Sequence, residues 1–172
     1  MYPIGHLALA YLSYVLYARV TDIQLPHGRP LAILVVASQL PDLVDKPLVY
    51  IGVLSSGRSL AHSLVVLVPV LLLVGTILVH LERRPLWPIL SVGTLSHVLG
   101  DSYRLVLTQQ WTELRFLLWP VFPAINYPND GIPPWVRLLN HGFGLGMRVQ
   151  FSLAIVAVAV WAWSRHQHPV KR

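Results

Sequence analysis

The 172-residue chain has no cysteine, which excludes disulfides, thiolate metal sites and a cysteine nucleophile and leaves the redox compartment open. Charge is scarce as well. Asp, Glu, Lys and Arg together make up 12% of the residues, against about 25% in an ordinary soluble domain. Acids are the rarest, with 7 Asp and Glu beside 13 Lys and Arg, so the formal net charge of +6 reflects missing acids rather than massed bases. The bases are scattered, mostly near the ends of hydrophobic segments, and do not form the concentrated footprint of a nucleic-acid-binding surface. They suit anchoring to anionic headgroups instead. The N-terminal stretch MYPIGHLALAYLSYVLYARV lacks the positive n-region and clear small-residue cleavage site of a secretory leader. It is expected to be retained as a first membrane helix, which keeps His6 in place. No internal repeat stands out.

What the chain does have is apolar sequence: 55% of residues are hydrophobic, and the mean hydropathy is +0.59. A membrane-spanning helix needs about 20 mostly apolar residues. Segments of that kind run roughly from Pro3 to Val20, over 60–81, from Leu86 to Leu107 and from Met147 to Ser164. A fifth is irregular: PLAILVVASQL (30–40), then PDLVDKP, then LVYIGVL (48–54). Pro41 and Pro47 are expected to break or kink it, and irregular backbone at membrane depth is tolerated only where it is buried in protein or lines a wet cavity. The expectation is an all-α, polytopic membrane bundle of about five transmembrane helices with one broken helix. It forms a single integral domain over 1–172, with 108–146 as a long interfacial connection or lid carrying Trp111, Trp119 and Trp135.

With five crossings, Arg19, Arg29, Arg83, Arg84, Arg165, Lys171 and Arg172 share one face, and Lys46, Arg58, Arg104, Arg115, Arg137 and Arg148 share the other. The first set is the larger, which tilts its face toward the cytoplasm. On the other face the costly polar residues gather. His6 lies near that end of segment one, Asp42 and Asp45 at the far end of the broken segment, and His62 at the start of the 60–81 segment. His97 and Asp101 lie in the last half of the Leu86–Leu107 segment, and His141 closes the long connection. The site is therefore expected near the non-cytoplasmic face of the cell membrane.

His97 and Asp101 are four residues apart and so share one helix face, the spacing two metal ligands on one helix require. Imidazole and carboxylate together suit zinc, and also manganese or iron. Several blander readings stand beside this one. Asp101 could pair with Arg104, Asp45 could pair with Lys46, and His97 could simply bond between helices. His141 could belong to a Gly-rich turn capped by Asn140, and Arg58 could snorkel to headgroups. His80 reads as an interfacial residue, and His27, His166 and His168 as solvated ones.

The ordered motifs GH, LPDLVD, GRSLAHS and LSHVLGD resemble the LexA-regulated family of membrane-bound metal-dependent hydrolases, which in turn is distantly similar to zinc-dependent phospholipase C. The resemblance covers roughly residues 3–105. It implies that His6, Asp42, His62, His97 and Asp101 are metal-binding positions.

The function expected is metal-dependent hydrolysis of a phospholipid or related lipid phosphoester, with one or two divalent transition-metal ions, zinc foremost. Asp42, His62, His97 and Asp101 are the core ligands, joined by His6 and His141. Asp45 is expected as general base and Arg58 as the group that steadies transition-state charge. Membrane lipids are the expected partners, with no nucleic acid. The alternative is a metal-ion or proton transporter, since intramembrane His and Asp also mark ion pathways. Against it, the polar residues stop at one face.

Overall fold

In the computed structural model the described residues are 1–127, Ile132, Val136 and 144–167. Their regular structure is all helical, without strands. α1 spans Pro3–Thr21, α2 Arg29–Ala37, α3 Leu40–Tyr50, α4 Leu64–His80 and α5 Leu86–Leu107. A 3-10 helix covers Trp111–Leu118, and α6 covers Leu145–Gln167.

α5 is the central post: α1, α2, α3, α4 and the 3-10 helix all pack against it, and α6 packs on α1. Small residues let it serve so many neighbours. A Cβ on Gly93 would stand 2.6 Å from the Ala37 Cβ, so glycine here brings α2 close against α5. Gly75 on α4 leaves room for the Trp87 indole, whose Nε1–H donates to the Leu71 carbonyl at 2.8 Å. The hydroxyls of Thr94, Ser96 and Ser102 on α5 donate to carbonyls three or four residues back, each at 2.8 Å. A helix that buries hydroxyls must satisfy them, and these are satisfied within α5 itself.

Two apolar clusters flank this post. One joins Tyr11, Tyr14 and Val15 of α1 to Leu34, Ile89 and Ala157, and the other joins Leu67 and Leu71 of α4 to Val98, Leu105 and Phe116. Outside them the helices present more apolar surface than water tolerates. Leu72 and Leu73 on α4 are 57% and 60% exposed, and Ile155 and Val158 on α6 are 69% and 62% exposed. Among the described residues one helical stretch, Leu145–His166, is long and apolar enough to cross a membrane by itself, and Leu64–His80 is apolar but shorter. The all-helical expectation thus holds in its coarse form, while the number of crossings rests on α1 and α5, which have the length but carry polar residues.

The broken segment breaks earlier than its prolines suggest. α2 ends at Ala37, Ser38 and Gln39 form the turn, and Pro41 lies in the first turn of α3. There its missing N–H has no intrahelical partner to lose. Pro47 lies inside α3 and does not end it. The 60–81 apolar segment is shorter as a helix than its composition suggests: residues 60–62 form a turn, and the Ser63 side chain caps α4 by accepting from the Val65 N–H at 3.1 Å.

Candidate metal centre

Four elements bring the site together. α1 delivers His6 from its first turn, α3 delivers Asp42 and Asp45, and the turn before α4 delivers His62. α5 delivers His97 and Asp101, one helical turn apart. His6, Asp45, His62 and His97 have no exposed surface, and Asp101 is 7% exposed.

The hydrogen bonds fix how each imidazole faces. His97 Nδ1 lies 2.6 Å from the Ser38 carbonyl oxygen, and His62 Nδ1 lies 2.9 Å from Asp45 Oδ2. A carbonyl and a carboxylate can only accept, so both rings donate through Nδ1–H, which leaves Nε2 of each ring as the atom turned toward the centre of the cluster. The two Nε2 atoms face each other at 3.2 Å. At that distance the two nitrogens need a proton or a metal ion between or beside them, because two lone pairs would repel. Asp42 Oδ1 is 3.7 Å from each of these Nε2 atoms, and Asp101 Oδ2 is 3.6 Å from that of His62.

His6 completes the group. Its ring stacks on His97 with centroids 3.7 Å apart and planes 10° from parallel. Both of its nitrogens are buried without a hydrogen bond among the described residues. Nε2 is 3.4 Å from Asp101 Oδ1, within ion-pair reach. A buried imidazole with neither nitrogen hydrogen-bonded is costly, and such orphans call for an unseen partner.

The donor set fits a divalent ion. His6, Asp42 and His97 bring one ligand atom each within 4.8 Å of one another, and so do His62, His97 and Asp101. His97 is common to both triads. The outer contacts are those that orient metal-bound histidines, a carboxylate behind one ring and a backbone carbonyl behind the other.

Around this core the pairings differ from the local ones suggested by sequence. Asp101 Oδ2 accepts from Arg58 Nε at 3.0 Å, and Asp101 Oδ1 contacts the Met1 amine. Arg104, three residues on, is exposed. Lys46 pairs with Asp42, one turn back, and leaves Asp45 to His62. Asp45 also accepts the backbone N–H groups of Ser59 at 3.0 Å and Ala61 at 2.8 Å. Both Asp45 oxygens are thus engaged, and the side chain has no exposed surface. His141 lies outside the described residues.

Three participants carried no signal as functional residues in the sequence. Ser38 acts through its backbone oxygen. Phe116, fully buried, sets its ring edgewise to His62 at 6.4 Å between centroids. Tyr127 and Phe116 both face the Arg58 guanidinium, with its carbon 5.0 and 5.8 Å from their ring centroids. Burial works against the Arg58 charge, but Asp101, followed by Tyr127, outweighs it and raises the guanidinium pKa above its ordinary value. Burial likewise raises the Tyr127 phenol, with Arg58 opposing. Phe116 and Tyr127 therefore cover Arg58 at the edge of the cluster, and the Ser63 hydroxyl ties the end of the 3-10 helix down by contacting the Trp119 carbonyl. The amphipathic run ELRFLLWPVF was the available hint for Phe116.

The family model described as YdjM inner membrane protein covers residues 1–168. No curated protein and no solved structure matches the chain.

Proposed function

We propose, for a chain that belongs to the YdjM inner membrane protein family, a multi-pass, membrane-embedded metal-dependent hydrolase that acts on a lipid phosphoester. The observation that carries this reading is the pair of Nε2 atoms on His62 and His97, 3.2 Å apart and flanked by Asp42 and Asp101. The resemblance of the motifs to LexA-regulated membrane hydrolases, and more distantly to zinc-dependent phospholipase C, supports the same reaction class. The basic-residue tilt along the chain supports a site near the non-cytoplasmic face.

In this reading His62, His97, Asp42 and Asp101 hold the ion, with His6 as the further ligand. A bound zinc or similar ion supplies Lewis acidity and activates water for attack. Asp45 keeps His62 in the Nδ1–H tautomer so that Nε2 stays available. Arg58, permanently charged beside Asp101, offers its guanidinium to a phosphate oxygen and to the charge that grows there in the transition state. Phe116 shields the cluster from bulk water. The apolar faces of α4 and α6 set the whole site among lipids, which makes a lipid phosphoester the substrate nearest to hand.

The test is metal analysis of gently purified protein by mass spectrometry, joined to hydrolysis assays on lipid phosphoesters. About one or two transition-metal ions per chain are expected from the two overlapping triads, and His97→Ala should lose most of the metal. Metal-free protein that keeps its fold would overturn the site. Metal uptake into liposomes that depends on His97, with no hydrolysis across a broad phosphoester panel, would assign the cluster to transport.

A further inference from the structure

Beside the cluster, on the far side of Gly100, lies an apolar groove of about 450 Å³ between α1, α5 and α6. That volume is in the range of small-ligand sites. Leu9, Leu99, Val106, Val149 and Leu153 form its walls, and Met1 and Ser102 belong to it as well. The groove and the cluster share a partition one residue thick. A Cβ on Gly100 would stand 2.8 Å from Met1 Sδ and 3.2 Å from Leu9 Cδ2 on the groove side, and 3.1 Å from His6 Nδ1 on the site side. Asp101 and Ser102 are consecutive, one turned to the cluster and the other to the groove.

We infer that this groove seats an acyl chain of the membrane lipid whose head group reaches the His/Asp cluster. The inference rests on the hydrolase reading and names the part of its substrate that the groove recognises. Amphiphilic complementarity selects the occupant. The walls are hydrocarbon, so the ligand segment must be hydrocarbon. One residue away the Arg58 guanidinium and a set of metal-ligand atoms await an anion. A molecule that is apolar along one part and anionic at the adjoining end satisfies both, and a phospholipid has that form. The exposed Leu72–Leu73 stretch of α4, about three helical turns beyond His62, serves as the comparison and should meet lipid without preference.

The experiment uses the full chain in vesicles of phosphatidylethanolamine and phosphatidylglycerol doped with a phospholipid carrying a photoreactive diazirine on one acyl chain. Crosslinked peptides are mapped by mass spectrometry. Label should concentrate on the Leu99–Val106 and Val149–Leu153 peptides over the Leu72–Leu73 peptide. Leu153→Trp, which fills the groove, should cut groove labelling about tenfold. Val149→Trp should do the same and guards against misfolding of the first variant, while Ile155→Trp, at an exposed α6 position outside the groove, should leave the pattern unchanged. Even labelling of α4 and α6, or groove labelling that survives both fillings, would overturn the inference. Labelling is read without turnover, so the two readings fail separately. Focused groove labelling with no hydrolysis removes the enzyme and keeps the groove. Hydrolysis of lipids that both tryptophan variants leave intact removes the groove and keeps the enzyme.

Discussion

The two ends of this helical bundle carry the same kinds of residue and treat them in opposite ways. At one end Arg19, Asp22, His27, His80, Glu82, Arg83 and Arg84 are all exposed. At the other, His6, Asp42, Asp45, His62, His97 and Asp101 are pressed together, most of them without any exposed surface. An exposed titratable group is stabilised by solvent and owes little to its neighbours. A buried one depends on them, because loss of a partner strands what remains. Histidine and aspartate are therefore interchangeable ornaments at the first end and mutually required at the second.

That contrast breaks hardest at His97, which belongs to both metal triads, stacks on His6 and faces His62. His97→Ala should abolish stoichiometric metal and cost about 3–5 kcal/mol, as for other buried charge networks that lose a member. Metal content and thermal unfolding in detergent would check both.

Arg58 sharpens the division between holding a metal and using it. Arg58→Ala should keep the metal bound while slowing phosphoester hydrolysis by about 10²-fold or more. Loss of metal together with activity would make Arg58 a structural counter-ion of Asp101 only.

Asp45→Asn should weaken metal affinity by about 10–100-fold, the usual effect of removing the group that orients a ligating histidine. Nitrogen NMR of the His62 ring offers a second readout, since the variant can lose the Nδ1–H tautomer while the helices stay intact.

At the opposite end the effect should almost vanish. His80→Ala, at an exposed position, should stay within about 0.5 kcal/mol and leave metal content unchanged. A large loss there would erase the distinction between the ends. Orientation can be read separately by labelling introduced cysteines: Gly57 and Asn129 should react from one side of the membrane and a cysteine between Arg83 and Arg84 from the other.

How far the sequence disclosed this arrangement depended on the range of each contact. The His97–Asp101 pair was visible because helical periodicity is local, and α5 runs over Leu86–Leu107 as its apolar pattern implies. The ion pairs were less legible. Arg104 lies nearest to Asp101 along the helix, yet the cation that reaches it is Arg58, 43 positions away in the chain. Lys46 adjoins Asp45 but reaches Asp42, because neighbours along a helix point apart while residues four apart align. The break in the second segment was misplaced for a related reason. Proline disfavours a helix interior but suits a first turn, so Pro41 begins α3 where it was expected to end a helix. Phe116 and Tyr127 close over Arg58 only through tertiary packing, which no local pattern encodes.

The Ser38 carbonyl behind His97 gives the site a dependence of another kind. Any amino acid supplies a backbone oxygen, so exchanging Ser38 for another small residue leaves that acceptor in being. What the contact demands is a fixed count of residues between α2 and α3. Deleting one residue from the Ser38–Gln39 turn would shorten the link between α2 and α3 and pull Asp42 and Asp45 together out of place against His62 and His97. In this stretch the protein should tolerate changes of letter and resist changes of length.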